Sequence, residues 1–319
     1  MVIMNPFMTL VCRLRFNPRG AAKMIQNIND RISIFFTEEG FSKSNAVLID
    51  DDVRIMIDSG AGKITGEARP QGVDILINSH CHLDHVWDND LFVNARIITH
   101  PLERENFKDQ KKIGSIDNWE KYMTEDPQQF VHLIGAMKPS FFEKWRVDGT
   151  IDEGDIIDAG RTKIHVMHMP GHTSGHLTFF FPEEGLLFCG DICLTKVGPW
   201  YGDGSTPVDD FIASINRIIE MKPDRVVSGH NKEVLTSPFI LRAFEEYRGR
   251  IYKRDERILA ALGEKPCTLD ELAEQKLIYP AHPTIFVVYW EKAMIVKHLN
   301  RLMKNGAAAV DEEERYYAR

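Results

Sequence analysis

Apolar positions along the chain fall into short blocks from Ile32 onward, and the blocks predict strands. Arg31–Phe36, Ala46–Ile49 and Val53–Ile57 are separated by brief polar breaks, the pattern of antiparallel hairpins. Asp74–Ile77 reads as a buried strand that ends directly on a histidine-rich run, and Arg96–Thr99 as another strand. Residues 101–146 change character. Charge is dense there, and Trp119, Phe130, Phe141, Phe142 and Trp145 are scattered through it, which reads as a helical insert that forms either a lid or a local core. A second strand set follows from Thr150 to about Ile192, with Lys163–Met167, Leu177–Phe181 and Leu186–Phe188 as its members. Val208–Met221 has the period of an amphipathic helix and stops at Lys222-Pro223, after which Arg225–Ser228 is a last short strand. Past Pro238 the strands are expected to stop. Phe239–Leu262 and Thr284–Met303 read as helices, and Thr268 with Glu271 three residues on predicts a capped helix start between them. The expected organisation is a leader over residues 1–30, a catalytic domain over 31–236 and a C-terminal helical module over 237–319.

Chemistry concentrates where the fourth strand ends. His80, His82, Asp84 and His85 lie within six residues. On an extended backbone side chains two apart point the same way, so His80 and His82 can grip one metal ion together. Asp84 and His85 come as the chain turns away and can face a second. Imidazole and carboxylate donors suit zinc, iron or manganese. His172, Asp191 and His230 are further ligand candidates, each directly preceded by a glycine at a predicted strand end, and Asp58 closes another strand. Most lone histidines are ordinary core or surface residues. That reading is preferred for His100, His132, His282 and His298, which lie outside any ligand-like cluster, and a structural role is favoured for His165, His168 and His176. Four ligand-type residues packed into the His80–His85 run would repel or desolvate one another without a cation to organise them.

His-x-His-x-Asp-His, then Pro170-Gly-His-Thr173, Gly190-Asp191 and Gly229-His230, with Asp58 ahead of them, resemble the ordered motifs of the metallo-β-lactamase superfamily over about residues 31–235. The resemblance implies an α/β fold, the αββα sandwich of two face-to-face sheets with helices outside. It implies His80, His82 and His172 on one metal, Asp84, His85 and His230 on a second, Asp191 bridging, and Asp58 orienting a ligand. Departures narrow the class. The β-lactamases of the family usually carry Arg at the place of His85 and Cys at that of Asp191, so the chain looks like the glyoxalase II-like, LACTB2-like hydrolase branch. The tail, with Tyr247-Arg-Gly-Arg250, Arg254-Asp-Glu-Arg257 and Thr268-Leu-Asp-Glu-Leu272, is similar to the winged-helix module of that branch. The implied chemistry is hydrolysis by a hydroxide shared between two divalent ions, zinc or else iron or manganese. Such binding lowers the pKa of water from about 16 to roughly 7. Asp84 and Asp191 are the expected catalytic carboxylates, one steering the hydroxide and the other holding the metals apart. Trp200 and Tyr201, just past the Asp191 strand, are the candidate substrate-binding residues.

Composition narrows the partners. The formal net charge of -8 argues against a broad nucleic-acid face. A small-molecule thioester, lactone or ester is therefore the expected substrate. A phosphodiesterase acting on RNA or single-stranded DNA is the alternative, because Arg248, Arg250, Lys253, Arg254 and Arg257 could meet phosphates. A non-enzymatic metal-holding or winged-helix binding protein is the remaining class. Five cysteines at irregular spacings (Cys12, Cys81, Cys189, Cys193 and Cys267) give no disulfide framework and fit a reducing, cytoplasmic setting. The apolar opening Val2–Cys12 precedes its arginines, the reverse of a secretory signal, and is too short to span a bilayer. It reads as a loosely ordered leader or an upstream start, with Met24 as an alternative start. No membrane partner is expected, and a homodimer is common among proteins of this kind.

Overall fold

The computed structural model describes residues 24–37, 42–108, 119–123, 138, 146–195, 197–204 and 206–319. Thirteen of its strands form two sheets. The first orders β1 (Ile25–Asn27), β2 (Ile32–Phe35), β3 (Ala46–Asp50), β4 (Arg54–Ile57), β5 (Ile75–Ile77), β6 (Arg96–Thr99) and β7 (Gly149–Thr150) side by side in chain order. The second orders β13 (Leu235–Thr236), β12 (Arg225–Val227), β11 (Leu186–Phe188), β10 (Leu177–Phe181), β9 (Lys163–His168) and β8 (Ile156–Asp158). Alternation along the strands sends one face of each sheet into a shared interior. Ile34, Val47, Ile49, Ile55, Ile57 and Ile77 of the first sheet meet Ile164, Val166, Phe179, Phe181, Phe188 and Val227 of the second. Each such fully buried side chain contributes about 1.5–3 kcal/mol.

Two expectations change at the edges of the first sheet. Residues 24–30, expected in the leader, include β1, which pairs antiparallel with β2. The turn between them is tied by the Asn29 side chain, which accepts from the N–H of Arg31 and Ile32 at 2.8 Å each; a polar turn, not a leader, explains that composition. The rest of the leader lies outside the described residues. Thr150, expected to open the second strand set, instead closes the first sheet, because β7 pairs in parallel with β6. Of the expected helical insert, α2 (Pro101–Lys108) and α3 (Trp119–Tyr122) are seen, and Phe130, Phe141, Phe142 and Trp145 lie outside the described residues.

The outer face of the second sheet is covered by α4 (Val208–Met221), which buries Val208, Phe211, Ile212, Ile215 and Ile218 and stops where Lys222 takes a left-handed conformation before Pro223. Three more helices follow: α5 (Phe239–Glu264), α6 (Leu269–Glu274) and α7 (Ile285–Lys304). Thr268 forms the expected capping box with Glu271. Strands do not stop at Pro238, however. β14 (Ala308–Val310) and β15 (Tyr316–Ala318) close the chain as an antiparallel hairpin; blocks of three residues on either side of a charged turn carry too little periodicity to be read from the sequence. The apolar core does not divide at the expected boundary near residue 236. Leu187, Cys189, Phe211 and Ile215 share one cluster with Phe244, Tyr247, Ile251, Met294 and Ile295. Among the described residues no helix is long and apolar enough to cross a membrane.

Candidate metal centre

Parallel pairing brings the chemistry to one rim. β4, β5 and β6 run in parallel, so Asp58, the His80 run and His100 leave the first sheet on the same side. β11 and β12 are also parallel, so Asp191 and His230 leave the second sheet together, with Gly229 N–H donating to the Gly190 carbonyl at 2.7 Å. His172 sits in the turn between β9 and β10. After His82 the chain enters α1 (Leu83–Val86), whose first turn presents Asp84 and His85.

The seven candidate ligands are brought together as two groups that share Asp191. In the first, His172 Nε2 lies 2.9 Å from His82 Nδ1, 3.2 Å from His80 Nε2 and 3.3 Å from Asp191 Oδ2. In the second, Asp191 Oδ1 is 3.0 Å from His85 Nε2 and 3.2 Å from His230 Nε2, and Asp84 Oδ2 is 3.1 Å from His230 Nε2. Ligand atoms about 2.0–2.1 Å from a tetrahedral ion lie roughly 3.3 Å apart, so the spacing fits. The tautomers fit as well. His172 Nδ1 donates to the Trp200 carbonyl at 3.1 Å, which leaves Nε2 as a bare lone pair turned toward the group. His85 Nδ1 donates to Asp58 Oδ2 at 2.7 Å and frees its Nε2 in the same way. Lone pairs converging on one another in a buried space are what a cation would organise.

The two groups differ electrically. Burial, reinforced by neighbouring histidines, holds His80 well below its ordinary pKa; burial pushes His82 down to about 4 against the pull of Asp84 and Asp191, and His172 to about 3 against that of Asp191. Burial opposes protonation in the second group too, but carboxylates outweigh it. Asp191, Asp58 and Asp84 hold His85 well above the usual range, and Asp191 and Asp84 raise His230 to about 9. The Asp191 carboxyl resists the upward push of burial and is held well below its usual range by His230, His85 and His172. The carboxylate-rich half thus calls for positive charge, and the histidine-rich half offers neutral donors.

Crowding explains two of the glycines. A Cβ at Gly229 would stand 2.5 Å from Asp191 Oδ1 and 2.8 Å from His85 Cε1. A Cβ at Gly60 would stand 1.5 Å from the Asp84 carbonyl oxygen. Asp58 lies beneath the centre, wholly buried, and also accepts from Ser79 N–H and Oγ–H at 2.8 Å each. Cys81 faces away among Val86 and Phe107, and burial followed by Glu103 pushes its thiol well up.

Of the two expected substrate residues, Trp200 lies at the centre, its ring 5.4 Å from that of His82 and 5.2 Å from that of His172. Tyr201 does not. It is fully buried, and its hydroxyl meets His298 Nε2 at 2.6 Å and the Arg254 guanidinium at 2.8 Å, so it offers no surface to a substrate. Adjacent residues on an extended segment face opposite ways, and Tyr201 turned inward. It belongs to a polar network in which His298 also meets Asp255 and Arg254 donates to the Val197 and Pro199 carbonyls. Lys297 donates to the carbonyls of Asp203, Gly204 and Thr206. Side chains of α5 and α7 thereby hold the segment that carries Trp200.

Several contributors were not visible in the sequence. Asn45 donates from Nδ2 to the Ser228 and Asn231 carbonyls at 2.8 and 2.6 Å and so braces the turn of His230. His176 Nδ1 donates to the Met169 carbonyl, and its Nε2 accepts from Asp191 N–H at 3.0 Å; proximity to His172 was its only sequence signal. A further grouping of His100, Asp152 and His168 has a less suitable donor set. His100 Nδ1 accepts from Leu102 N–H, which leaves the proton on Nε2, where it is donated to Asp152 at 3.0 Å. That ring turns a proton, not a lone pair, toward the grouping.

The fold and this rim define a two-sheet sandwich with His and Asp groups that could hold metal ions at one edge, and comparison with known proteins agrees. Residues 40–230 match the family model of the metallo-beta-lactamase superfamily. The chain belongs to that family, a family of hydrolases. It is 30% identical over 140 residues to a hydroxyacylglutathione hydrolase of Rhodobacter capsulatus, covering 42% of this chain and 52% of that protein. It is 24% identical over 236 residues to the atrochrysone carboxyl ACP thioesterase of Aspergillus chevalieri (72% and 67%) and 25% identical over 173 residues to an acyl-coenzyme A thioesterase of Bos taurus (49% and 55%). The chain thus spans about half the length of the first of these relatives. Among solved structures, a beta-lactamase domain protein from Burkholderia ambifaria aligns with a TM-score of 0.71 at 18% identity, covering 92% of this chain and 93% of that one. A metallo-beta-lactamase family protein from Thermus thermophilus aligns at 0.68 and 22% identity, covering 86% and 94%. Both show the fold.

Proposed function

We propose that the protein is a binuclear metallohydrolase that cleaves a small thioester, with lactones and simple esters as other members of the same carbonyl class. The observation that carries this reading is the Asp191 carboxylate, which turns one oxygen to each of two histidine groups. The names of the relatives, two thioesterases and a hydroxyacylglutathione hydrolase, support the thioester in particular.

Divalent ions, zinc or else iron or manganese, would be held by His80, His82, His172, Asp84, His85, His230 and Asp191, and when bound they supply an activated water and a Lewis acid for the substrate carbonyl. The chain's own residues do the rest. Asp84 is the more open of the two carboxylates, 19% exposed against 10% for Asp191; with Oδ2 turned to the donor group, its other oxygen is the one that can hold the proton of the attacking water. Asp58 keeps the His85 ring turned so that Nε2 faces the centre. The Trp200 indole forms an apolar wall beside His82 and His172, where it would seat the acyl part of the substrate and keep bulk water from that side.

A nucleic-acid phosphodiesterase could use the same donors, but the basic cluster on α5 gives it little support. Arg254 is buried against carbonyls of the Trp200 segment, Arg250 donates to the Thr195 carbonyl, and Arg248 donates to Asn216. Metal analysis together with a panel of thioester, lactone, phosphodiester and RNA substrates tests the proposal. Two tightly held ions and turnover of a thioester are expected. A preparation with fewer than one ion that is inert on every substrate would overturn it, and salt-dependent cleavage of RNA alone would replace it with the nuclease reading.

A further inference from the structure

Glu103 lies on α2, fully buried, and belongs to neither ligand group. A carboxylate in an apolar interior is costly unless its oxygens are satisfied. Its Oε2 accepts from Cys81 N–H at 2.9 Å. Its Oε1 accepts from Thr173 Oγ1–H at 2.6 Å and from Gly175 N–H at 2.9 Å. Cys81 sits between His80 and His82 on the loop that leaves the first sheet. Thr173 follows His172 on the turn that belongs to the second. One buried side chain therefore ties together the two loops that carry all three histidines of the first group. The fit is close, since a Cβ at Gly175 would stand 2.8 Å from Glu103 Cγ and 2.9 Å from its main-chain nitrogen. The second group is braced by other means: Asp58 fixes His85, and Asn45 fixes the turn of His230.

We propose that Glu103 is a positioning residue that sets the distance between the His80–His82 loop and the His172 turn, and so the affinity of the first metal position alone. The inference rests on the two-metal reading above. Its logic is that of acceptors only. A carboxylate can take donors on both oxygens, whereas an amide of the same shape turns an N–H₂ toward one of them, so the tie on that side becomes a donor facing a donor. Residues that orient ligands from outside are typically worth about 10- to 100-fold in metal affinity.

The test uses the full chain, stripped with a chelator and titrated with zinc or cobalt(II) against a chromophoric competitor. In Glu103→Gln one of the two equivalents is expected to weaken by about 10- to 100-fold while the other keeps its parental affinity. Thr173→Val removes one donor from Oε1, leaves Gly175 N–H in place and gives a smaller loss at the same equivalent; it carries the test if Glu103→Gln fails to fold. Parental affinity at both equivalents in the variants overturns the inference. So does a parallel loss at both equivalents that tracks a lowered melting temperature, the mark of a merely structural residue. A parent chain that binds fewer than two ions overturns the two-metal reading itself, a result distinct from either.

Discussion

Replacing Asp58 with Asn leaves the shape of the site untouched and changes only what its oxygens can accept. Asp58 takes three donors: Ser79 N–H at 2.8 Å, Ser79 Oγ–H at 2.8 Å and His85 Nδ1–H at 2.7 Å. Its backbone is left-handed, with φ at 58°, a conformation Asn tolerates as Asp does. The amide oxygen can keep Ser79 N–H, but the amide nitrogen then faces His85. The ring must either give up that bond or move its proton from Nδ1 to Nε2, which would point a hydrogen at Asp191 where a lone pair is needed. A hydrogen bond to a charged group is worth about 1.5–3 kcal/mol. At about 1.36 kcal/mol per decade this is roughly a 10- to 150-fold loss of metal affinity. Chelator competition on D58N, run beside a denaturant titration, measures it. Affinity within twofold of the parent, with the fold intact, would refute the argument that this carboxylate fixes the tautomer of His85.

Three further outcomes follow from the same geometry. Gly229→Ala pushes a methyl group against Asp191 and His85, so its denaturant midpoint and its metal content should both fall, by about 1–3 kcal/mol in stability; parental values in both would show that the turn can yield. Trp200→Ala should raise KM or lower kcat with both metals retained, and unchanged kinetics would remove the indole from the substrate site. His298 is held below its ordinary pKa of 6.5 by burial, which outweighs Asp255. The unfolded chain therefore takes up that proton first, so the contribution of His298 is complete above pH 6.5 and is lost as the pH falls below it. Stability measured from pH 8 to pH 5 should decline less steeply in His298→Asn than in the parent, and equal slopes would contradict the assignment.

What the sequence disclosed follows the range of the interactions. The His80–His85 run was legible because its ligands are neighbours in the chain and a single turn of backbone sets their directions. His172, Asp191 and His230 were legible because each follows a glycine at the end of an apolar block. Leu186–Phe188 and Val208–Met221 match the structure residue for residue, since fully apolar strands and strongly amphipathic helices carry dense periodic signals. Asn45 and Glu103 were illegible. Each acts through main-chain groups far along the chain, and an acceptor that will meet a distant N–H looks like any other polar residue. The inward turn of Tyr201 was hidden for a related reason, because the partners that capture it, Arg254 and His298, lie on helices that dock from the far end of the chain.

Trp200 meets the metal centre in two separate ways, through its carbonyl oxygen on His172 Nδ1 and through its indole beside the rings of His82 and His172. The first belongs to the backbone and is available to any residue at that position; the second belongs to the side chain alone. Position 200 is therefore one where the wall beside the two histidines can be rewritten without rewriting the ligand. With α5 and α7 fixing the path of the segment, and with Trp200 seating the substrate as proposed, a library randomised at this single codon would sample substrate preference among proteins that all retain the same His172 tautomer. On the proposed function, the architecture would uncouple the evolution of selectivity from the upkeep of the histidine and carboxylate cluster.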